Sequence, residues 1–378
     1  MKSKLQYSCF FLFVFFYAIS AGQNQRIDSL LSVLKTVQHD TIKVNTLNRL
    51  FYEFEYIDTV RAKEFLIKAQ KLAQECGFKK GLAKTYLNFG YLSEDKGDYQ
   101  EAIKYNFYAL KVGEEIKDKK GVADAYNNIA TVNAQMCNYP EALKYFTKSL
   151  DLRKQLGNKK HVADSYNNMG LVLAHLGNYA DALKNYFACL KVQEEIGNQN
   201  GISASYLNIA MVYARQNNLT EALKNNFASL EISKKLGYKK GIATSYNNIG
   251  LTYLAISEKE SDQGARMKKL EEAMENHLAC LNIAKEIGDK PLVGNSYNNI
   301  GIICFHQGKS SQLESFRENK FKEALNYHMY SLKIMEEISD KSGIASSSIN
   351  IGDVYILQKQ YKKAREYILK AKEILKTV

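Results

Sequence analysis

The chain has 378 residues, of which 46% are hydrophobic, 24% are charged and only two are proline. Disordered chains are poor in aromatic residues and rich in proline, so the 26 Tyr and 17 Phe argue against disorder. The formal net charge is +12, and the same composition excludes collagen-like, disulfide-dense and multi-span membrane proteins. The remaining prediction is one long, mostly helical, soluble body.

The N-terminal residues have the order of a secretory signal peptide. Lys2 and Lys4 form a short basic region, residues 9–19 form an apolar run, and small residues follow. A bilayer span needs about 20 apolar residues, so this run is too short to cross comfortably. We predict a signal peptide over residues 1–22, cleaved near Ala21 or Gly22, with an uncleaved N-terminal anchor as the alternative. The mature protein is then secreted or periplasmic.

Five cysteines remain after removal of the signal peptide. Their number is odd and no CxxC pair occurs, which makes a weak disulfide framework. We predict that all of them are small buried hydrophobic residues. They are Cys76, Cys137, Cys189, Cys280 and Cys304.

One ten-residue sequence motif recurs along most of the chain, and the period of this repeat indicates the fold. GVADAYNNIA begins at Gly121, HVADSYNNMG at His161 and GIATSYNNIG at Gly241, with a period of 40 residues. The last two copies each follow a step of 51 residues. Copies therefore start near residues 41, 81, 121, 161, 201, 241, 292 and 343. Residues 23–40 precede the copies and are predicted to form an N-terminal capping helix, with its helical part over residues 28–37.

Hydrophobic periodicity predicts two helices in each copy, named here helix A and helix B. In the copy near residue 161, Tyr166 and Leu173 fall on one stripe of helix A. A turn follows at residues 177–179, and helix B runs from there to Gly197. The position just after a helix end needs a positive φ, which glycine adopts at little cost.

The copies that start near residues 241 and 292 are longer than the others because they contain insertions. Each insertion has eleven residues, near 256–269 and near 307–320, at the turn between helix A and helix B. Insertions in a repeat often mark a binding surface. Eleven residues also make about three helical turns, so the alternative is that the helices are longer.

The repeat resembles the tetratricopeptide repeat, whose pattern is W-x2-L-G-x2-Y, then A-x3-F, then P. Tyrosine stands at the tryptophan position in Tyr86, Tyr126, Tyr166, Tyr206, Tyr246 and Tyr297. The small residue of the helix crossing is Gly90, Ala130, Gly170, Ala210, Gly250, Gly301 and Gly352. The helix B alanine is Ala62, Ala102, Ala142, Ala182, Ala222, Ala273, Ala324 and Ala364. The closing proline is absent, and the period resembles the 40-residue variety of kinesin light chains, Pins-type adaptors and bacterial extracytoplasmic sensor arrays.

This resemblance implies an all-α fold, a right-handed α-solenoid of about eight tetratricopeptide-type helix-turn-helix repeats over residues 41–378. In such an array each helix pair buries its apolar face only against its neighbours, so the terminal repeats need polar faces. Helix B of the last copy has Arg365 and Lys372 where internal copies are apolar, and the first copy has Lys63 and Gln70. We therefore predict a finished array, with a fragment of a longer sensor as the alternative.

No catalytic motif is visible in the sequence. It has no Walker loop, no GxSxG and no Cys–His spacing of a known nucleophile signature. His277 and His328 occupy the same helix B position, where other copies have Tyr186 or Phe146. A stacked histidine pair could bind a metal ion, but no Cys, Asp or Glu recurs at a supporting spacing, so core packing is favoured. We predict no enzyme activity, no cofactor and no metal site.

One asparagine gives the sharpest functional signal, because it stands two residues before the small-residue position of helix A in every copy. This ladder consists of Asn48, Asn88, Asn128, Asn168, Asn208, Asn248, Asn299 and Asn350, with Asn127, Asn167, Asn247 and Asn298 one residue earlier in four copies. In the resembled family helix A lines the concave groove, and asparagines at this position bind an extended peptide backbone. The amide is suited to this because it both donates and accepts hydrogen bonds. The alternative is that duplicated copies share the residue by descent, or that it bonds a neighbouring loop.

Specificity would come from the residues three positions after each ladder asparagine, which would form pockets along the groove. They are Phe51, Tyr91, Thr131, Leu171, Met211, Leu251, Ile302 and Asp353. Most are apolar, whereas Asp353 and the nearby Glu94 and Asp95 add acidic groups in two places. The predicted ligand is an extended, partly apolar segment of another protein.

Lysines recur in equivalent predicted loops and would stack along one edge of the solenoid. They are Lys79, Lys80, Lys119, Lys120, Lys159, Lys160, Lys239 and Lys240, joined by Lys290 and Lys341. One interpretation is contact with an anionic partner or membrane surface. We favour a solvated edge with helix-end electrostatics. Nucleic acid is a poor partner for an exported chain without arginine-rich segments.

Together these features predict an exported, non-enzymatic scaffold that binds an extended peptide segment of a partner protein in its groove. The alternative from a different class is the extracytoplasmic sensor portion of a membrane histidine kinase or cyclase-type signalling protein. An enzyme with its site across the groove comes third, and converging carboxylates on the groove wall would favour it. The mature chain is expected to contain no transmembrane segment.

Overall fold

Helices account for almost all of the described chain. A computed structural model describes residues 25–377, and the chain divides into two compact units, Met1–Gly177 and Asn178–Val378. The predicted signal peptide over residues 1–22 lies outside the described residues. No strand occurs between residues 25 and 377. No helix in that range is both long enough and apolar enough to cross a membrane.

Helices of type A and type B alternate along the chain. Helix α1 covers residues 25–36 and precedes the first copy, close to the predicted range of 28–37. The A helices are α2 (Asp40–Phe54), α4 (Lys79–Asp95), α6 (Lys119–Gln135), α8 (Lys159–His175), α10 (Gln199–Arg215), α12 (Lys239–Lys259), α14 (Lys290–Ser310) and α16 (Lys341–Leu357). The B helices are α3 (Thr59–Glu75), α5 (Tyr99–Glu115), α7 (Tyr139–Gln155), α9 (Tyr179–Glu195), α11 (Leu219–Lys235), α13 (Gln263–Ile287), α15 (Glu314–Glu337) and α17 (Tyr361–Leu375).

Short polar side chains begin many of these helices, and left-handed residues end them. Asp118 accepts a hydrogen bond from the backbone N–H of Gly121 at 3.2 Å, and Asn158 accepts one from that of His161 at 3.2 Å. Each cap satisfies one of the N–H groups that the first turn leaves unpaired. Gly197 follows α9 with a φ of 67°, so the predicted positive φ at this position is confirmed.

The two insertions lengthen helices. Helices α12 and α14 have 21 residues where α10 has 17. Helices α13 and α15 have 25 and 24 residues where α11 has 17. The turns between α12 and α13 and between α14 and α15 remain short, at residues 260–262 and 311–313. Of the two interpretations that the sequence left open, the structure has the longer helices.

Within each unit, every helix packs on the next one in sequence, from α2 to α8 in the first unit and from α9 to α17 in the second. Successive A helices also touch one another, α2, α4, α6 and α8 in the first unit and α10, α12, α14 and α16 in the second. The A helices of each unit therefore share one face, called here the A face. Helix α1 places Ile27 and Leu30 in a buried cluster with Leu47 and Phe51 of α2, so it covers the first copy.

The small residue of helix A lies where helix B crosses it. A Cβ atom added at Gly250 would lie 2.6 Å from Nε2 of His277, and one added at Gly301 would lie 2.6 Å from Cε1 of His328. Favourable contacts between non-bonded heavy atoms need about 3.5–4.0 Å, so glycine leaves the room that each ring occupies. His277 is 0% exposed and His328 is 1% exposed. The interpretation of both histidines as packed core residues is confirmed.

The five cysteines form two groups. Cys189, Cys280 and Cys304 are buried, as predicted, whereas Cys76 and Cys137 are exposed. The prediction is wrong for the latter two because they lie at helix ends and not on a packed face. Cys76 is the residue directly after α3, and Cys137 takes a left-handed conformation, with a φ of 58°, in the turn after α6.

Candidate functional site

Several asparagines of the ladder pair with one another between successive A helices. In each pair Nδ2 of the later residue donates to Oδ1 of the earlier one. The pairs are Asn88 with Asn48 at 2.8 Å, Asn299 with Asn247 at 3.2 Å and Asn350 with Asn298 at 2.9 Å. These bonds join neighbouring copies, so part of the pattern stabilises the stack of repeats. The partner is the adjacent A helix, whereas the alternative hypothesis named a loop.

The first pair is buried, and both of its amides donate and accept hydrogen bonds within the protein. Asn88 is 1% exposed, and its Oδ1 also accepts a hydrogen bond from the hydroxyl of Tyr52 at 2.5 Å. Asn48 is 4% exposed, and its Nδ2 donates to the carbonyl oxygen of Val44 and to the hydroxyl of Thr85. A peptide could reach Asn88 only by displacing Tyr52. A ligand therefore finds no accessible amide at this end of the ladder.

In the middle of the first unit, the ladder asparagines bond to helix B. Oδ1 of Asn127 accepts a hydrogen bond from Nη1 of Arg153 at 3.1 Å. Arg153 is 6% exposed, and burial lowers the pKa of its guanidinium. Nδ2 of Asn128 donates to Oδ1 of Asn106 in α5 at 3.4 Å. Here the asparagines help to satisfy buried polar groups of the neighbouring B helices.

The other asparagines of the predicted site are half-buried, and several of them bond to one another locally. These residues are Asn167, Asn168, Asn208, Asn247, Asn248, Asn298 and Asn299. Nδ2 of Asn247 donates to Oδ1 of Asn248 at 3.3 Å. Nδ2 of Asn167 donates to Oδ1 of Asn168 at 3.4 Å. A side-chain amide has two donor hydrogens and an oxygen with two lone pairs, so Asn248 keeps capacity for a further partner.

A pocket opens on the A face of the second unit, between α10, α11 and α12. Its volume is about 340 Å³. The lining residues are Ala210, Met211, Ala214, Arg215, Leu219, Asn226, Asn248, Leu251, Thr252 and Ala255. Three of the predicted site residues, Met211, Asn248 and Leu251, thus come together around one cavity. We call it the α10–α12 pocket.

The lining of the α10–α12 pocket is mostly apolar, with few polar groups. Leu251 is 41% exposed at the surface, and the Thr252 hydroxyl donates to the backbone oxygen of Asn248 at 2.7 Å. Arg215 brings a positive charge, and no carboxylate is among the described residues that line the pocket. Asn226 is 2% exposed, and its Oδ1 has no hydrogen-bond partner within the described part of the chain.

Sequence reasoning missed Asn226, although a signal for it was present. Asn226 stands four positions after Ala222, where the tetratricopeptide pattern A-x3-F has an aromatic residue. A polar residue at a position that the fold buries needs a hydrogen-bond partner or another reason to be there. The predicted groove residues all came from helix A, so Asn226 of helix B was not among them.

Tyr91 and Leu171, the other predicted pocket residues, belong to the first unit. The Tyr91 hydroxyl lies 2.7 Å from that of Tyr56, and this hydrogen bond, with burial, raises the pKa of Tyr91. Leu171 is 43% exposed. Tyr91 therefore already has a polar partner in its own unit, whereas Leu171 presents an apolar side chain to solvent.

Buried histidines do not assemble a metal-binding cluster. Burial lowers the pKa of His277 to about 4 and that of His328 to about 4, so both rings are neutral near pH 7. Nδ1 of His328 lies 3.0 Å from Oδ1 of Asn298. Across residues 25–377, no group of three or more His, Cys, Asp and Glu side chains could hold a metal ion.

The repeated lysines begin the A helices, and the prediction that they lie in loops is wrong. Lys79, Lys239 and Lys290 are the first residues of α4, α12 and α14. The positive end of the helix dipole disfavours a cation there, so the sequence-based electrostatic argument does not hold for the A helices. Instead, each side chain reaches the end of helix B in its own copy: Lys79 pairs with Glu115, Lys239 with Glu286 at 2.6 Å and Lys290 with Glu337 at 3.4 Å. These acids offset part of the positive charge along this edge.

Comparisons with known proteins bear on the fold. Three family models, each described as tetratricopeptide repeat, match residues 121–195, residues 83–105 with 345–374, and residues 203–236. No curated protein matches the chain. Among similar solved structures is the apo form of the quorum sensor NprR from B. thuringiensis, with 13% identity over 95% of this chain and 95% of that chain and a TM-score of 0.64.

Two further solved structures have the same fold at low identity. Aspartyl phosphate phosphatase F from Bacillus subtilis is 14% identical over 92% of this chain and 87% of that chain, with a TM-score of 0.61. A Rap protein complexed with Competence and Sporulation Factor is 12% identical over 94% of this chain and 98% of that chain, with a TM-score of 0.53. At these identities the likeness shows the fold alone.

The A and B helices alternate, glycines lie at the crossings of α12 with α13 and of α14 with α15, and the solved structures above have the same helical fold. These features define an all-α repeat protein of the α-solenoid class. The chain belongs to the tetratricopeptide repeat family.

Proposed function

We propose that the chain is a non-enzymatic scaffold that binds an extended segment of a partner protein on the A face of the second unit, across the α10–α12 pocket. Asn248 would hydrogen-bond the backbone of the segment, and Met211 and Leu251 would contact its apolar side chains. Ligand pockets usually combine apolar walls with a few polar groups that fix orientation. The mixed lining of this pocket has that character.

One observation carries the proposal. Repeat spacing and the family resemblance predicted Met211, Asn248 and Leu251 as groove residues, and all three line the same cavity of about 340 Å³. Asn248 is half-buried and lines the cavity. By contrast, Asn88 is buried against Tyr52. Binding is therefore proposed for the second unit and not for the start of the ladder.

Three further parts of the proposal come from the sequence. Export follows from the order of residues 1–22. The repeated lysines would make only weak contact with an anionic surface, because several of them already pair with Glu. If the chain is instead the extracytoplasmic sensor portion of a membrane signalling protein, the α10–α12 pocket would bind its ligand in the same way. The two alternatives differ in whether the chain is joined to membrane and output segments.

The test uses a displayed library of short random peptides panned against the full chain. Peptides retained by the wild type are then measured against Asn248→Ala and against Asn282→Ala, a matched change at an exposed asparagine of α13. We expect Asn248→Ala to weaken binding about tenfold, because one or two hydrogen bonds of about 1 kcal/mol each are lost. Asn282→Ala should bind as the wild type does. Equal binding to all three proteins, or no retained peptide, would contradict the proposal.

A further inference from the structure

A buried hydrogen-bond acceptor without a partner in the α10–α12 pocket indicates which kind of ligand the pocket binds. Asn226 of α11 is 2% exposed and lines the pocket, and its Oδ1 has no hydrogen-bond partner among residues 25–377. A buried acceptor without a partner costs free energy, whereas a ligand that donates to it removes that cost. We therefore expect the bound molecule to carry a hydrogen-bond donor.

The equivalent position in the first unit shows how this acceptor would be satisfied within the fold. Asn106 stands four positions after Ala102, as Asn226 does after Ala222. Oδ1 of Asn106 accepts a hydrogen bond from Nδ2 of Asn128, 22 residues later, at 3.4 Å. The residue 22 positions after Asn226 is Asn248, and no such bond forms between them. Both residues line the α10–α12 pocket instead.

The rest of the lining narrows the class of donor. A lysine or arginine side chain would meet Arg215 and, among the described lining residues, no carboxylate. A carboxylate would place its lone pairs against the Oδ1 acceptor. Small polar side chains would leave the apolar walls of Met211, Leu219 and Leu251 uncovered. A neutral aromatic side chain with a donor at its end fits both requirements.

We propose that the α10–α12 pocket anchors a tyrosine side chain of the bound segment, with the phenolic O–H donating to Oδ1 of Asn226. Tyrosine carries its hydroxyl at the far end of the ring, so the ring contacts the apolar walls while the O–H reaches the buried acceptor. Arg215 also lines this pocket, and a guanidinium near an aromatic ring is a favourable arrangement. This inference rests on the groove function proposed above and names the side chain that the groove selects.

The test uses NMR of the full chain with labelled methionine methyl groups. It follows the methyl resonance of Met211, which lines the pocket. The probes are N-acetyltyrosine amide and N-acetylphenylalanine amide, which differ only by the hydroxyl. We expect both to shift the Met211 resonance, with the tyrosine amide binding about fivefold to tenfold more tightly. In Asn226→Leu the two probes should bind equally. Leu66 already occupies the equivalent buried position of α3, so the substitution is compatible with the fold.

Two further variants keep the result decisive. Asn282→Leu, an exposed control in α13, should retain the preference for the hydroxyl. Leu251→Asp, at a 41% exposed position of the pocket, should abolish the binding of both probes even if Asn226→Leu fails to fold. Equal affinity of the two probes for the wild type, a stronger response to N-acetyltryptophan amide, or an unchanged Met211 resonance would overturn the inference.

The two proposals can fail separately. If the tyrosine amide is preferred but no displayed peptide is retained, the groove function fails and the tyrosine pocket stands. If peptides are retained and depend on Asn248, but replacing each of their tyrosines by phenylalanine leaves the affinity unchanged, the tyrosine pocket fails and the groove function stands.

Discussion

Acidification is expected to destabilise the second unit through two buried histidines. His277 in α13 is 0% exposed and His328 in α15 is 1% exposed. Burial lowers the pKa of each from 6.5 to about 4, and no neighbouring charge contributes to either shift. Both rings are packed against the glycine of the facing A helix, so they cannot turn toward water without opening the helix crossing.

The sign and the size of the effect follow from proton linkage. Between pH 6.5 and about 4, the unfolded chain binds a proton at each histidine and the folded protein does not. The free energy of unfolding therefore falls as the pH is lowered through this range and is unaffected by these groups above it. A shift of this size corresponds to about 3 kcal/mol for each histidine. Two such losses are comparable with the whole stability of many domains, about 5–15 kcal/mol.

The assay compares urea unfolding, followed by circular dichroism, at pH 7 and at pH 4. The control protein carries His277→Asn and His328→Asn, because Asn106 already occupies this position against Gly90. We expect the urea midpoint of the wild type to fall much more between the two pH values than that of the double variant. An equal fall in both proteins would refute the assignment of acid sensitivity to the histidines.

Two other predictions concern a helix crossing and the N-terminus. Gly250→Ala should lower the free energy of unfolding by about 1–3 kcal/mol, because the new Cβ would lie 2.6 Å from the His277 ring, whereas Gly264→Ala, at an exposed position, should be neutral or slightly stabilising in the same urea titration. Protein recovered from the envelope or medium of an expressing bacterium should begin near residue 22, and N-terminal sequencing that finds Met1 there would contradict signal cleavage.

Much of the fold could be predicted because each position of the repeat occurs in several copies, and the residues that recur there indicate the same structural role each time. The alanine of helix B and the small residue of helix A recur at fixed spacing, and Gly250 and Gly301 lie at helix crossings in the structure. The eleven-residue insertions were harder, since their length is compatible with a loop or with added helical turns. Longer helices bury more of the flanking apolar residues, and Met267 in the extended part of α13 packs against a buried cluster that contains Leu254 and Leu270.

The lysines show where local pattern misled the prediction. The stretch around Lys119 follows a turn, and its lysine pair suggested a solvated loop. The signal that could have corrected this is Asp118, whose side chain caps the helix by accepting from the N–H of Gly121. The ion pair between Lys79 and Glu115 joins residues 36 apart, so only the packed repeat could reveal it.

The candidate site was only partly predictable for a related reason. Spacing selected Met211, Asn248 and Leu251, because it identifies equivalent positions on helix A. Repeat spacing cannot show which asparagines form hydrogen bonds with a neighbouring copy. That depends on how two side chains meet across an interface, as the hydrogen bond from Asn88 to Asn48 shows.

The buried row on helix B, four residues after the repeated alanine, joins the stability of the fold to its proposed function. Phe146 fills this position in α7 and is 2% exposed, so an apolar side chain satisfies the packing there. Asn226 and His277 fill it in α11 and α13, and each leaves polar atoms without partners in the described chain. Every such atom costs about 1–3 kcal/mol. Packing alone would therefore favour an apolar residue at both positions, and sites that depart from the packing rules in this way are often functional.

The two positions differ in what lies next to them. The ring of His277 is in contact with the Gly250 backbone, so its polar atoms face a helix crossing. Asn226 faces the α10–α12 pocket, where a ligand can supply the missing hydrogen bond. The same physical cost therefore has separate consequences: sensitivity to acid at His277, and selectivity for a donor at Asn226.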